Sequence, residues 1–322
     1  MMDQGQKNVR TDEFFEYYRK MISRSKMNED TEITPDNVYQ EALTENRDLL
    51  FEIMKKCHKP GSKILGVENI IELSKLAEEG KSCLVLSEHV SNLDVPSLFT
   101  RFYDHEDDSL KDIFERFVFI AGTKLNSLPM VKLFTEMFTR VVVYAIRSLN
   151  EIKNDEEMKE EVELANRINI KSTRKIGELR NKGYIIFLYA TGTRYRPWAP
   201  ETKKGIPAIH SYLNSFDYFC CVSANGNNMP PEEHEDMTKE TICDDVVVFN
   251  FGEVQDSKGY LKRILESQDN SVQNDTESKE AQKQYVADSI MNEIENLHEQ
   301  AEEYRESFLF EKISSERANI LA

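Results

Sequence analysis

Six short runs rich in β-branched and aromatic residues, alternating with helix-like stretches, limit what this chain can fold into more than any other feature. They are residues 83–87 (CLVLS), 117–121 (FVFIA), 140–146 (RVVVYAI), 184–190 (YIIFLYA), 218–224 (YFCCVSA) and 245–251 (DVVVFNF). Each has the length and composition of a strand. Amphipathic or charged segments separate them, notably 149–182, which stops at Gly183. Strands alternating with helices predict an α/β fold: a mixed, largely parallel sheet flanked by helices.

Ahead of the first run the pattern is helical from residue 12 to about 59, with Leu49, Leu50, Ile53, Met54 and Cys57 at a helical period. Within it, the Thr-Pro of TPDNVYQEAL reads as a helix start. The KPGSK segment (59–63) interrupts the pattern. The expected division is therefore a small N-terminal helical domain, 1–60, and an α/β domain, 61–322. The aromatic FFEYY stretch is expected to pack the first on the second. Residues 266–280 are polar and read as a mobile loop, followed by a long helix over about 281–306.

Charge and cysteine usage remove whole classes of function. A net charge of −17 argues against nucleic acid as the main partner, because phosphate neutralisation needs a basic surface. It still permits a local basic pocket for an anionic small molecule. Five cysteines, two of them adjacent, do not form a disulfide framework, and no His/Cys spacing suits zinc, so no metal is expected. No window is long and apolar enough for a signal peptide or a membrane span. These features predict a soluble protein, cytoplasmic or of an organelle stroma after processing, with any membrane contact peripheral.

The chemistry concentrates where apolar runs end. In SCLVLSEHVSNLD, His89 follows the first run and Asp94 stands five positions later, at the expected start of a helix carrying Pro96. In open α/β sheets ligands gather where loops leave the carboxyl ends of strands. A His in such a loop can be held through one ring nitrogen by the Asp, leaving the other as a base. The alternative is an ordinary loop His beside an ordinary helix-capping Asp. After the fourth run, YATGTRYRPW (189–198) offers Thr191, Gly192 and Thr193 in a tight turn, then Arg194 and Arg196, whose guanidiniums suit a phosphate. Arg147 with Ser148 follows the third run and Lys124 the second. A base beside an anion pocket suggests removal of a proton from a phosphorylated alcohol. Neither G-x-G-x-x-G nor G-x4-G-K-[ST] occurs, which disfavours a dinucleotide or ATP enzyme.

These residues together resemble the glycerolipid acyltransferases that act on glycerol 3-phosphate and lysophosphatidic acid. HVSNLD resembles their H-x4-D motif, VVYAIR their second block and ATGTRYRP their third, with Thr191 where the membrane-bound members have Glu. TGTRYRP, NNMPPEE (227–233) and VVVFNFGEV look most like the soluble chloroplast glycerol-3-phosphate acyltransferase, which also has a helical N-terminal domain. The likeness runs patchily over about residues 61–300.

The resemblance implies glycerol-3-phosphate 1-O-acyltransferase activity, giving lysophosphatidic acid. His89 would be the general base and Asp94 its orienting partner. Arg147, Ser148, Arg194 and Arg196 would bind the phosphate. Thr191, Gly192 and Thr193 would form a turn that supplies oxyanion donors or contacts substrate; the alternative source of oxyanion donors is the loop after His89. No cofactor is implied; acyl-carrier protein or acyl-CoA would be the co-substrate. Docking an acidic carrier protein calls for a local basic face, for which Lys124, Lys132, Lys203 and Lys204 are candidates. Two other readings stay open: acylation of 1-acylglycerol 3-phosphate, and a non-catalytic phospholipid- or carrier-binding protein.

Overall fold

Consecutive side chains of a strand face opposite sides of a sheet, so an unbroken apolar run satisfies itself only if both sides are covered. The computed structural model, which describes residues 8–25, 32–123, 125, 129–145, 148–149, 152, 156–233, 239–267 and 276–320, has that arrangement. Its strands are β1 (Tyr39–Gln40), β2 (Lys63–Leu65), β3 (Cys83–Ser87), β4 (Phe117–Gly122), β5 (Arg140–Val143), β6 (Ile185–Tyr189), β7 (Tyr218–Asn225), β8 (Val248–Phe251) and β9 (Gln255–Asp256). Its helices are α1 (Thr11–Ile22), α2 (Arg47–Cys57), α3 (Val67–Glu78), α4 (Asp94–Tyr103), α5 (Ser109–Glu115), α6 (Pro129–Glu136), α7 (Lys159–Arg180), α8 (Ala208–Ser215), α9 (Ser257–Ser267) and α10 (Thr276–Ile320).

The described strands form one nine-stranded sheet in the order β1-β5-β4-β6-β3-β7-β8-β2, with β9 beside β7. Pairs β4/β5, β4/β6, β3/β6, β3/β7 and β2/β8 are parallel; β1/β5, β7/β8 and β7/β9 are antiparallel. The fold is thus the mixed, mostly parallel α/β sheet that the alternation predicts. Cys83 and Val85 of β3, with Ile185 and Phe187 of β6, face a core built with α1 to α6. Leu84, Leu86, Ile186 and Leu188 face the other way, against α7 to α10. On the first side Phe99, Phe102, Phe114, Phe117, Phe119 and Phe187 interlock at tilted or edge-to-face angles, centroids 5.0–6.1 Å apart.

Several boundaries differ from expectation. The TPDNV segment starts no helix. Thr34 Oγ1 and Asn37 Oδ1 accept the Asp36 and Thr34 N–H groups, which closes a polar turn. Val38 and Tyr39 then extend along the sheet margin, where the Val142 N–H donates to Val38 O at 2.7 Å and Tyr39 pairs with Val141. β5 ends at Val143, earlier than its apolar run, and α7 begins at Lys159, later than the charged stretch suggested. Its end is as expected: Gly183, at φ 80°, turns the chain toward β6. Of the loop expected over 266–280, residues 268–275 lie outside the described residues and α10 already begins at Thr276.

The N-terminal helices share the first core. Phe14, Met21, Leu50, Ile53 and Met54 join the cluster that holds Cys83 and Val85, and Phe14 and Tyr18 lie against Phe134 of α6. From His58 onward the chain runs beside 245–250, through a bridge to Asp245 and the β2/β8 ladder.

His58 itself is 8% exposed, and neither ring nitrogen has a hydrogen-bond partner. Burial, with the nearby Arg101 charge, holds its pKa well below 6.5 against the opposing pull of Asp245. A base whose folded pKa is depressed takes up its proton more readily when unfolded, so it destabilises the fold as pH drops below 6.5. His298 has the opposite sign: its pKa is raised, so its contribution is complete below 6.5 and is lost as pH rises. Chemical denaturation at pH 7.5 and 5.5 should therefore show the wild type losing about 1 kcal/mol more than His58→Met over that interval. Equal losses in the two proteins would remove His58 as an acid-sensitive group.

Candidate active site

The strand order explains why the H-x4-D loop and the TGTRYRP loop meet. β3 and β6 are parallel neighbours, with Ser87 opposite Tyr189, so both loops leave the same edge of the sheet. The helices that follow part company: α4 packs through Leu98, Phe99 and Phe102 on one face, α8 through Ile209 and Leu213 on the other. A crevice opens where adjacent strands send their connections to opposite faces. Two backbone bonds pin the loops together there, Ala190 N–H to Ser87 O at 2.7 Å and Tyr195 N–H to His89 O at 2.8 Å.

Asp94 organises the His89 side. It is the first residue of α4, one position inside the expected cap, and Leu93 at the cap makes no side-chain bond. Its Oδ2 accepts the N–H groups of Val90 at 2.8 Å and Ser91 at 3.0 Å, and lies 2.8 Å from His89 Nδ1. A carboxylate oxygen that accepts two N–H bonds accepts a third from the ring, which puts the imidazole proton on Nδ1. In the neutral form of the ring the lone pair then sits on Nε2. The His89 side chain remains 20% exposed while that of Asp94 is 6%, so the ring is reachable and its anchor is not.

The ring plane is fixed from β6. Tyr189 stacks on His89 with centroids 4.1 Å apart and planes 22° from parallel. Burial, and then the Asp94 charge, push the Tyr189 phenol well above its usual range, so it stays neutral. No local pattern in the sequence pairs Tyr189 with His89; only the β3/β6 register does. On the far side of β3, Asn227 Nδ2 donates to Val90 O at 2.8 Å and Ser91 Oγ to Met229 O at 3.4 Å.

In the TGTRYRP turn Gly192 takes φ 63°, and an added Cβ would meet Ile206 Cγ2 at 3.2 Å. Thr191 is buried and donates to Thr193 O at 2.6 Å. Arg196 Nη1 donates over long distances, 3.3 Å to Thr193 Oγ1 and 3.4 Å to Arg194 O. Arg194 is placed differently from a solvent-facing clamp. It is 6% exposed and forms a fork with Glu240, itself 1% exposed, Nη1 lying 2.7 Å from Oε2 and Nη2 against Oε1. The N–H groups of Val90 and Ser91 are taken by Asp94, and that of Gly192 donates to Tyr189 O. Those three donors are thus already engaged.

The remaining sequence candidates lie on other segments or outside the described residues. Arg147 and Lys124 lie outside the described residues. Ser148, which is helical, follows β5, three strands from β3 in the sheet order. Lys132 is on α6, Lys203 pairs with Glu295 at 2.6 Å and Lys204 is exposed. Sequence reasoning missed Tyr189, Asn92, Glu240 and the partnership of Glu88 with His298 at 2.7 Å.

What the geometry offers is an oriented, partly exposed imidazole at the carboxyl end of two parallel strands, backed by a buried carboxylate. Removing that carboxylate should loosen the loop before it affects anything else. In Asp94→Ala the amides of Val90 and Ser91 should lose hydrogen-exchange protection by at least about tenfold, with a stability cost of about 1–3 kcal/mol. Unchanged protection at both amides would show that Asp94 is not what holds the loop.

Neither a family model nor a curated protein sequence matches this chain. Among solved structures, the 1-acyl-sn-glycerophosphate (LPA) acyltransferase PlsC from Thermotoga maritima is similar to it at 17% identity, with a TM-score of 0.39, over 79% of this chain and 81% of that one. A likeness of that depth transfers neither a reaction nor a residue's role.

Proposed function

We propose that the chain is a glycerolipid O-acyltransferase, with glycerol 3-phosphate as acceptor and its sn-1 hydroxyl as the group acylated. The observation that carries this reading is the His89–Asp94 pair, held at 2.8 Å within an H-x4-D loop and tied by the Tyr195 N–H to a loop bearing Arg196. A base and a guanidinium on adjoining loops suit an alcohol that also carries a phosphate.

In the proposed reaction Arg196 holds the acceptor's phosphate, together with Arg147 and Ser148 from the segment after β5. The hydroxyl then lies against His89 Nε2 and the thioester carbonyl. His89 takes the hydroxyl proton as the oxygen bonds to the carbonyl carbon, and Asp94 stabilises the imidazolium. Collapse of the tetrahedral intermediate breaks the C–S bond, and the imidazolium returns its proton to the departing thiolate. The products are 1-acylglycerol 3-phosphate and a free thiol, with no acyl-enzyme and no cofactor. The donor is a fatty acyl thioester of acyl-carrier protein or of CoA. Among the described residues no helix is long and apolar enough to cross a membrane.

Thioester consumption by the purified protein tests this, with glycerol 3-phosphate and 1-acylglycerol 3-phosphate as rival acceptors and each donor in turn. Turnover on glycerol 3-phosphate should fall by about 10²–10⁴-fold in His89→Ala. Arg196→Gln should chiefly raise KM for the phosphorylated acceptor. Turnover confined to the lysolipid would move the chain to the second acylation step. Tight acceptor binding without turnover would make it a binding protein.

A further inference from the structure

The Arg194–Glu240 fork has no place in a phosphate clamp. Both groups are nearly inaccessible, and Asn92 Nδ2, from the H-x4-D loop, approaches Glu240 Oε2 at 3.4 Å. One buried carboxylate therefore meets a side chain from the loop after β3 and another from the loop after β6. Its own segment is anchored on three sides. The N–H groups of Thr241, Ile242 and Cys243 donate to Glu232 Oε1, Thr11 Oγ1 and Asn228 O.

For Arg194 to grip an incoming phosphate it would have to leave Glu240, stranding a carboxylate in a buried pocket with Asn92 as its remaining side-chain donor. Breaking a buried ion pair in that way costs far more than an exposed contact returns. The fork also explains the residue type, because a planar guanidinium meets a carboxylate through two parallel bonds and an ammonium cannot. Arg196, two residues on, donates from Nη1 to the main-chain Arg194 O at 3.4 Å, so its guanidinium end leans on the turn that the fork anchors.

We propose that Glu240 and Arg194 are positioning residues: their buried pair locks the loop carrying Arg196 to the loop carrying His89 and sets the distance between phosphate and base. The inference rests on the acyltransferase reading for its kinetic consequence but not for its geometric one.

The test compares the wild type with Arg194→Lys, Glu240→Gln, the double Arg194→Gln/Glu240→Gln and, as reference, Arg196→Gln. A small misplacement of reacting groups lowers turnover by about 10²-fold without loosening binding. Arg194→Lys and Glu240→Gln should accordingly lower kcat by about 10–100-fold while KM for glycerol 3-phosphate stays within about threefold. The double variant should be no worse than the poorer single, because it leaves no unpaired buried charge. A rise in KM for Arg194→Lys matching that of Arg196→Gln, with Glu240→Gln unaffected, would make Arg194 a phosphate ligand and overturn the proposal.

A second readout needs no turnover: the ring resonances of His89, which should move in Glu240→Gln and return toward wild type in the double variant. If the wild type acylates neither acceptor, the acyltransferase reading fails and the brace stands on these resonances. Lowered thermal stability with the His89 signals unmoved would reduce the pair to a structural contact and sink the proposal.

Discussion

One oxygen atom, Asp94 Oδ2, sets the conformation on which the candidate site depends. It gathers the Val90 and Ser91 N–H groups and His89 Nδ1. Bonds to a charged acceptor contribute about 1.5–3 kcal/mol each, enough to offset the entropy of fixing a short polar loop. Because all three donors converge on one atom, the backbone and the ring are fixed together. The position at the start of α4 adds the favourable end of the helix dipole. The acid is thus both the loop's fastener and the group that selects the imidazole tautomer.

The residue before His89 repeats the same chemistry on the other side of the sheet edge. Glu88 Oε1 accepts the Ala224 N–H at 2.8 Å and pairs with His298 Nδ1 of α10 at 2.7 Å. Burial alone would lower the His298 pKa, but the bond and charge of Glu88, with Glu295 and Glu302, outweigh it and raise the value. Successive positions point to opposite sides in extended chain, so Glu88 meets one histidine on one side while His89 meets an acid on the other. The charge of Glu88 is therefore matched locally, and the crevice does not inherit it.

The sequence carries the periodic parts of this structure and loses the parts set by register. Apolar runs such as CLVLS and YIIFLYA had to be strands covered on both sides, and their positions came within a few residues of those observed. The H-x4-D spacing likewise specified a contact that its own short loop can close. The Thr-Pro of TPDNV misled because side-chain bonds to neighbouring N–H groups compete with helix formation, and a short segment has no periodic apolar face to tip the balance. Tyr189 stacking on His89 needs β3 beside β6 in one register, a pairing about a hundred residues apart in the chain. Glu240 lies in KETICDD, which has no motif at all, and its bond to Arg194 spans 46 positions. Two arginines two residues apart look equivalent in sequence; the fold buries one and leaves the other half-buried.

That distinction bears on how so acidic a chain could accept a phosphorylated alcohol. Exposed acids on the outer surface are screened within about 8–10 Å at physiological salt, so the charge of −17 does not by itself reach a crevice. Among the described residues three buried acids near these loops have partners: Asp94 three N–H donors, Glu88 His298, and Glu240 Arg194. In the proposed complex an incoming phosphate therefore meets Arg196 with Glu240 already held by Arg194. Had Arg194 been the exposed guanidinium, Glu240 would have stood unmatched in the same crevice and repelled the ligand that the arginine was there to hold. The Arg194 fork thus removes one buried charge that would oppose a phosphate in the proposed complex.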